Sequence, residues 1–241
     1  MTFSYGKWTK YQMMKEEENL VQYLPETMVF SVDSFWAQLG KFGTVVMKPS
    51  EGSQGYGVVQ VSMLEEGNYE IHYHSRKRVV NRSKLEEFLA REKYTRKLYI
   101  VQEKIPLACV GKCPFDVRVM VQRKQGAEEW HVTGKAVKVA DEGYFITNIA
   151  KEILTLNQAL ERSDIENINL EAINTEIDYL SIGTAAKLGT YYQNSRMIGL
   201  DIGITGKGQL YIIEANLKPS IGIFKKFLDK QMLRNIRDFR K

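Results

Sequence analysis

Apolar residues along this chain recur mainly in short runs with β-strand character, separated by polar turns and by segments with helical spacing. Val45–Met47 and Val58–Val61 are two such runs, and the loop SEGSQGYG at residues 50–57 lies between them. We predict a strand for each run. Hairpin loops usually contain about 2–5 residues, so we expect a hairpin with an unusually long, glycine-rich tip.

Helical spacing of apolar positions predicts the α-helices of the chain. The predicted helices are Tyr11–Gln22, Val32–Lys41, Arg82–Lys93 and Ile168–Asn194. Ser83 is the expected N-cap of the third helix, because Glu86 follows it three residues later. The basic C-terminal stretch KKFLDKQMLRNIRDFRK alternates charged and apolar residues in the manner of an amphipathic surface helix.

Beyond the glycine-rich hairpin, period-2 alternation and apolar runs predict further strands. They lie at residues 68–73, 98–105, 115–124, 129–140, 197–205 and 209–216. Strands separated by single helices, together with antiparallel hairpins, favour an α+β fold over a doubly wound parallel sheet.

The composition is that of a folded globular protein, with 44% apolar and 26% charged residues among 241. No apolar run approaches the roughly 18 residues of a membrane span, and MTFSYGKWTK lacks the apolar core of a signal peptide. We therefore expect a cytoplasmic protein without membrane contact. The net charge of +5 suits an anionic ligand but is weak support for nucleic-acid binding.

Histidine and cysteine give little support for a metal site of their own. Cys109 and Cys113 are expected to be reduced thiols rather than a disulfide or half a zinc site, because no second ligand pair has zinc-like spacing. His72 and His74 lie on one face of a predicted strand, where we expect exposed side chains.

The glycine-rich loop has the composition of a phosphate-binding segment. Glycines permit positive φ angles and close approach of the backbone, so that amide groups can point at phosphate oxygens. Lys48, just before the loop, would add a positive charge. The segment is not a P-loop, because it lacks Gly-Lys-Ser/Thr and joins strand to strand. A plain surface loop remains the alternative.

Acidic and amide side chains cluster near the end of the chain. Glu214 and Asn216 are separated by one residue and therefore project from the same strand face, and a hairpin partner can bring Asp201 beside them. Oxygen ligands of this kind suit Mg²⁺ bound together with nucleotide phosphates. The alternative is two solvated acids and a turn-forming asparagine.

Together these pieces resemble the ATP-grasp superfamily from about Pro25 onward. The matching segments occur in the family's order, namely VVMKP with the glycine loop, VQEKI, FDVRV, TNIA and GLDI…IIEANLKPS. Within the superfamily, YLPET, KPSEGSQGYGV and WHVTGKAVKV look most like the YheC/YheD-type endospore coat-associated proteins. Ribosomal-protein glutamate ligases share this core more distantly.

The resemblance implies two α+β subdomains that clasp a nucleotide, without the usual full N-terminal α/β domain. Residues 1–24 would be a helical segment, 25–104 the lid subdomain and 105–241 the subdomain with the Mg²⁺ site. The implied catalytic residues are Lys48, Arg118 and Lys138. The implied ATP-binding residues are Lys48, Gly52, Ser53, Gln54, Gly55, Gly57, Glu103, Lys104, Ile105, Asp116 and Asn148. The implied Mg²⁺ ligands are Asp201, Glu214 and Asn216.

The resemblance further implies an ATP- and Mg²⁺-dependent carboxylate–amine ligase that acts through an acyl phosphate and is associated with the spore coat. The donor carboxylate and the acceptor amine stay open. One departure favours a catalytically impaired nucleotide-binding protein with an interaction role: Lys151, Glu152 and Ile153 stand where relatives commonly carry a pair of glycines. A nucleic-acid binder using HSRKRVVNR is disfavoured, because no recognition fold accompanies the charge.

Overall fold

Two antiparallel sheets form the framework of the protein in a computed structural model that describes residues 3–52, 54–91, 94, 96–227 and 230–239. The first sheet has the strand order β1-β6-β2-β3-β4-β5. Its strands are β1 (Thr27–Val29), β2 (Thr44–Pro49), β3 (Val59–Met63), β4 (Tyr69–Tyr73), β5 (Arg76–Val80) and β6 (Tyr99–Glu103).

The second sheet has the order β10-β9-β8-β11-β12, and a short strand, β7, pairs with β8. Its strands are β7 (Cys109–Val110), β8 (Cys113–Gln122), β9 (His131–Ala140), β10 (Ala150–Leu154), β11 (Met197–Ile204) and β12 (Leu210–Asn216). The α-helices are α1 (Lys7–Lys15), α2 (Glu18–Val21), α3 (Val32–Phe42), α4 (Arg82–Leu89), α5 (Leu156–Glu161), α6 (Leu170–Tyr191) and α7 (Gln231–Asp238). Short 3₁₀ turns occur at Glu65–Gly67 and Gly222–Lys226.

Each sheet buries one face against helices. In the first sheet, Val45 and Met47 pack with Phe35 and Leu39 of α3, while Val46 belongs to a separate small cluster on the opposite face. This alternation follows from the two-residue period of a strand. It leaves Val46 and Lys48 on the face that meets the second sheet.

The central strands of the second sheet are covered on both sides. Helix α6 packs against β8, β9 and β11, and Ile177 and Leu180 of this helix lie in the main core. On the other side, α7 covers Met120 and Ala136. Strands buried on both faces carry near-continuous apolar runs, which explains why β11 is apolar along almost its whole length.

Several local predictions are confirmed. The α+β class is confirmed, and the glycine-rich hairpin and helices α3 and α6 occur where the sequence pattern placed them, with ends that differ by at most three residues. The C-terminal amphipathic segment contains α7. Both cysteines are free thiols, and Cys113 is buried.

Three local predictions are wrong. The helix expected at Tyr11–Gln22 is divided into α1 and α2, because Glu17 adopts an extended conformation between them. Asn81, not Ser83, caps α4: its side chain accepts a hydrogen bond from the Lys84 amide, which places Ser83 inside the first turn. That helix ends at Leu89, short of Lys93, which lies outside the described residues.

The expectation of exposed histidines is also wrong for His72. This side chain is only 4% exposed, and its Nε2 lies 2.9 Å from the Gly143 carbonyl oxygen of the β9–β10 connection. His74 lies beyond the end of β4 in a turn with φ +55°. A segment about 70 residues further along the chain covers the strand face, and strand periodicity carries no information about such a contact.

No helix within the described ranges has the length and apolar character of a membrane span.

Candidate active site

A cleft lies between the two sheets and gathers most of the predicted site residues. This cleft has a cavity volume of about 140 Å³ and is closed on one side by the glycine-rich loop. The predicted residues that line it are Lys48, Gly52, Gly55, Glu103, Lys104, Ile105, Asp116, Lys138, Asn148, Asp201 and Glu214. Residues as far apart in sequence as Lys48 and Glu214 therefore meet at one place.

The other predicted residues lie around the cleft. Arg118 lies beneath it against Asp201, and Asn216 lines an adjoining cavity together with Glu214. The Gln54 carbonyl accepts a hydrogen bond from Asn148, and Gly57 packs near the Tyr99 hydroxyl. Ser53 lies outside the described residues.

Lys48 is a buried cation that lines the cleft. It follows the apolar residues of β2 on the cleft face, and its side chain is 7% exposed. Its Nζ donates hydrogen bonds to Gln102 Oε1 at 2.6 Å and to the Ile213 carbonyl of the second sheet at 3.3 Å. Burial lowers the pKa of Lys48 to about 8, although the Glu214 carboxylate acts in the opposite direction.

Further lysines surround the same space. Burial lowers the pKa of Lys104 to about 8, and Nζ of Lys104 lies 3.4 Å from the Phe145 carbonyl oxygen. Lys10 of α1 is buried with a pKa also lowered to about 8, mainly by desolvation, and it donates to the Ala215 carbonyl. Desolvated ammonium groups are costly unless an anion offsets them. The accumulation of such groups fits a bound polyanion.

A charged network crosses three strands of the second sheet. Arg118 on β8 stands opposite Asp201 on β11, and Asp116 on β8 stands opposite Lys138 on β9. Arg118 donates from Nε to Asp201 Oδ1 at 2.8 Å and from Nη2 to Oδ2 at 2.9 Å. Lys138 Nζ donates to Asp201 Oδ1 at 3.0 Å and lies 3.1 Å from Asp116 Oδ1. Thr147 donates to the other Asp116 oxygen.

The network shifts the pKa values of its two carboxyls in opposite directions. Burial opposes ionisation of Asp201, but Lys138 and Arg118 together outweigh burial and hold the pKa of that carboxyl well below its usual range. Burial also raises the pKa of Asp116, against the opposing charge of Lys138. A bidentate arginine–carboxylate pair of this geometry has a fixed orientation as well as charge. The network therefore presents the Lys138 ammonium to the cleft from a rigid base.

Two of the predicted magnesium ligands, Asp201 and Glu214, are direct partners across β11 and β12, whereas Asn216 stands opposite Gly199. Both Asp201 oxygens already accept hydrogen bonds from Arg118 and Lys138. Glu214 and Asn216 are the two members of the set that line the adjoining cavity. Within the described part of the chain, no group of three or more His, Cys, Asp or Glu side chains is arranged to hold a metal ion. The oxygen donors fit Mg²⁺ held jointly with phosphates.

The glycine-rich loop is held against the second sheet. Gly52, Gly55 and Gly57 all have positive φ angles, of 127°, 72° and 77°. A Cβ atom at Gly55 would lie 2.6 Å from Asn148 Nδ2. The same Nδ2 donates to the Gln54 carbonyl at 2.6 Å. Glycine is needed here both for the backbone conformation and for the close approach.

Sequence reasoning missed several residues that line the cleft. Gln102 and Thr147 each stand beside a residue that was identified, in VQEKI and TNIA, so the motifs themselves could have indicated them. Lys7 also lines the cleft, and its Nζ donates to the Gly52 carbonyl at 3.0 Å. It precedes every motif, and no local pattern singles it out.

Comparison with known proteins agrees with this geometry. The family model described as YheC/D-like ATP-grasp matches residues 2–239. The endospore coat-associated protein YheD of Bacillus subtilis (strain 168) is 23% identical over 91% of this chain and 49% of its own length. YheC of the same organism is 24% identical over 88% of this chain and 59% of its own length. The chain thus spans about half to three fifths of the curated relatives it matches.

Solved structures show the same fold. The ADP complex of PurK, an N5-carboxyaminoimidazole ribonucleotide synthetase, has a TM-score of 0.58 with 17% identity, covering 96% of this chain and 50% of that one. The ATP-grasp ligase PsnB complexed with a minimal precursor has a TM-score of 0.55 with 17% identity, covering 97% of this chain and 60% of that one. The fold is therefore an ATP-grasp fold, and the chain belongs to the YheC/D-like ATP-grasp family.

Proposed function

We propose that this protein is an ATP- and Mg²⁺-dependent ligase that joins a carboxylate to an amine through an acyl phosphate. The observation that carries the proposal is the convergence of buried lysines with a glycine-rich loop in one cleft between two sheets. Keeping such groups desolvated costs free energy that a triphosphate would offset. The two solved relatives named above include one bound to ADP and one described as a ligase.

Each residue has a defined task in this proposal. Lys48 holds the distal phosphates from below, and the backbone amides of residues 52–57 cover them from above. Lys138, oriented by Asp201, stabilises negative charge that develops on the transferred phosphoryl group. Glu103, with the backbone of Lys104 and Ile105, holds the adenine edge and the ribose. Closure of the loop against Asn148 excludes water from a hydrolysable intermediate.

Magnesium would be held by Glu214 and Asn216, with Asp201 as a third ligand if it releases part of its contact with Arg118 and Lys138. When bound, the ion neutralises phosphate charge and aligns the phosphates for in-line transfer. Arg118 then serves chiefly to keep Asp201 ionised and correctly oriented.

A second candidate function is nucleotide binding without ligation, with a role as an interaction module of the spore coat. The specific observation is β10. Residues 150–154 form a strand paired with β9, with a register shift between Ala150 and Glu152, and Glu152 makes a bidentate ion pair with Arg162. This pairing leaves the segment after Asn148 less free to move than a glycine pair would. The coat-associated names of the curated relatives are compatible with either candidate.

The test begins with nucleotide binding, measured by calorimetry with ATP in the presence and absence of Mg²⁺. Lys48→Met should weaken ATP binding by about 10–100-fold, because a buried charged hydrogen-bond donor to phosphate is lost. Lys77→Met is the matched control, since Lys77 lies on β5 of the same sheet with an exposed side chain, and ATP affinity should be unchanged.

Turnover separates the two candidates. Phosphate release is assayed with ATP, Mg²⁺ and pools of amino acids and short peptides. Pool-dependent release that is lost in Lys138→Met supports the ligase. Tight ATP binding with no release under any pool would favour the interaction module. Failure to bind ATP at millimolar concentration would exclude both.

A further inference from the structure

A second cavity, of about 560 Å³, adjoins the cleft on the side away from β6. We call it the N-terminal cavity; its lining includes Tyr5, Lys7, Lys10, Glu51, Asn216 and Lys218. It shares Lys7, Gly52 and Glu214 with the cleft, so the two spaces meet between the glycine-rich loop and β12. A molecule in this cavity would reach the end of the cleft where Glu214 stands.

Lys7 stands at the junction between the two spaces. Its Nζ donates to the Gly52 carbonyl at 3.0 Å and lies 3.5 Å from Glu214 Oε1. The backbone sets this position, because the Lys7 amide donates to the Ser50 carbonyl at 2.7 Å and the Trp8 amide donates to Ser50 Oγ at 3.2 Å. The start of α1 is thus built onto the base of the glycine-rich loop. The backbone of α1 thus fixes the position from which the Lys7 ammonium group reaches the junction.

The charge of the N-terminal cavity favours an acidic occupant. Lys7, Lys10 and Lys218 line it, whereas its carboxylates are Glu51 and Glu214. Glu214 is already engaged by Lys7. In the described part of the chain Lys218 has no carboxylate within ion-pair distance, and its ammonium lies 5.6 Å from the centre of the Tyr5 ring. The three lysines exceed the two carboxylates by one positive charge, and a partly enclosed space with such an excess attracts anions.

The N-terminal cavity also has room for more than a single functional group. Tyr5 is stacked on Tyr192 with ring centres 5.5 Å apart. Beyond this pair a further basin of about 720 Å³ shares Tyr5, Leu217 and Lys218 with the cavity. The N-terminal cavity and this basin therefore adjoin each other at Tyr5, Leu217 and Lys218. Ligand pockets for small molecules typically measure about 300–1,000 Å³.

We propose that the N-terminal cavity binds the carboxylate substrate of the ligase, and that this substrate carries more than one carboxylate, as do glutamate, aspartate and acidic peptides. Lys7 positions the reacting carboxylate at the junction with the cleft, and Lys218 binds a neighbouring carboxylate at the outer rim. This inference rests on the proposed function, because it assigns the substrate of the same site.

The test measures binding of a fluorescent hexaglutamate peptide by anisotropy, with ATP replaced by a non-hydrolysable analogue plus Mg²⁺. Hexaglutamine of the same length is the neutral reference. Hexaglutamate should bind more tightly than hexaglutamine, and its affinity should fall as salt is raised. Lys218→Gln should weaken hexaglutamate binding by about two- to fivefold, as expected for an exposed ion pair. Lys218→Glu should weaken it further.

Lys207→Gln is the matched control, because Lys207 is exposed in the turn at the opposite end of the β11–β12 hairpin. This variant should bind hexaglutamate as the wild type does. Competition with free glutamate tests whether the cavity binds an acidic amino acid or an acidic peptide. Displacement by free glutamate at equal carboxylate concentration assigns the site to an acidic amino acid, whereas failure to displace assigns it to a peptide.

Nucleotide binding is measured in the same samples. Equal affinity for hexaglutamate and hexaglutamine, or hexaglutamate binding unaffected in Lys218→Glu and Lys7→Gln, would overturn the inference while nucleotide binding remained intact. Absence of nucleotide binding by the wild-type protein would instead overturn the proposed function itself.

Discussion

Burial of lysine without a matching carboxylate is the main residue-scale property of the cleft. Lys104 lines it, has no carboxylate in ion-pair distance in the described part of the chain, and has a pKa lowered to about 8 by burial. A lowered lysine pKa means that the charged form destabilises the fold. Functional sites commonly contain groups that are destabilising until a ligand binds.

Lys104→Met should therefore raise the free energy of unfolding at pH 7, by about 1–3 kcal/mol, while weakening ATP binding. The pH dependence of this stability difference follows from the lowered pKa of Lys104. The penalty is fully present below pH 8, where the folded state carries the charge, and it disappears as pH rises from about 8 toward the unfolded value of 10.5. Urea denaturation at pH 7 and pH 9.5 should show a smaller difference between the two proteins at the higher pH.

Lys112→Met serves as the control, because Lys112 is exposed in the turn between β7 and β8. Its unfolding free energy should stay within about 0.5 kcal/mol of the wild-type value at both pH values. A Lys104→Met protein that is less stable than the wild type at pH 7 would contradict this account.

The sequence predicted which charged residues belong to the site, but not which residues they contact. Lys48, Asp201 and Glu214 were identified from their strand context, and the pairing of Asp201 with Glu214 across a hairpin is confirmed. The bidentate contact of Asp201 with Arg118 was not anticipated. It joins residues 83 positions apart, and it depends on the register of β8 against β11. No local pattern encodes that register.

The glycine-rich loop is the element on which closure of the cleft depends. Gly55 has φ +72°, and any Cβ there would approach both Asn148 and Ile146 to under 3 Å. A side chain at position 55 would therefore strain the backbone, and it would also clash with the connection between β9 and β10 that the loop contacts. The cost of backbone strain and the cost of the steric clash can be separated experimentally.

Gly55→Ala should lose the Gln54–Asn148 contact and weaken ATP binding about tenfold or more, because the loop can no longer close on the phosphates. Gly111→Ala provides the comparison: Gly111 has φ +65° in the β7–β8 turn, but a Cβ added there would meet no atom of the described residues within 4 Å. Both variants should lose about 1–2 kcal/mol of stability from left-handed backbone strain. Calorimetry should find weakened ATP binding only in Gly55→Ala, and equal affinities in the two variants would refute a closing role.

Other elements illustrate where local signals are weak. Strand β5, RKRVV, was missed because its exposed edge position leaves only Val80 buried, so the apolar alternation is faint. Helices α1 and α2 were merged because apolar spacing continues across the extended residue Glu17. Helix α6 is predictable because Ile173, Ile177, Leu180 and Leu188, all buried, recur at helical spacing over several turns.

At the scale of the whole molecule, side-chain contacts on both sides of the cleft join the two sheets. Lys48 reaches from β2 to the Ile213 carbonyl of β12, and His72 of β4 contacts the Gly143 carbonyl at the far side. The strands of the first sheet lie within residues 27–103 and those of the second within 109–216. The division into subdomains at residue 104 stays a prediction.

A ligand that bridges the two sheets should stabilise the entire molecule. ATP with Mg²⁺ at 100 times Kd should raise the free energy of unfolding by about 2.7 kcal/mol. Hydrogen exchange should slow both in the glycine-rich loop and along β12. Lys48→Met, with its affinity weakened about 10–100-fold, should gain only about 0.4–1.4 kcal/mol at the same ATP concentration and should show correspondingly weaker protection. Protection limited to one sheet would argue against a nucleotide site between them.

The sequence by itself determined most of the strands, though not β1, β5, β7 and β10. It also determined helices α3 and α6, the glycine-rich hairpin and the identity of the residues that carry charge. These features depend on local periodicity, turn chemistry and residue type, which a linear pattern contains. Only the tertiary structure decided which lysines are desolvated, that Asp201 is engaged by Arg118, that His72 is buried, and that Lys7 closes the junction with a second cavity. Each of these depends on contacts between residues that lie from 41 to more than 200 positions apart, and chain folding alone brings such residues together.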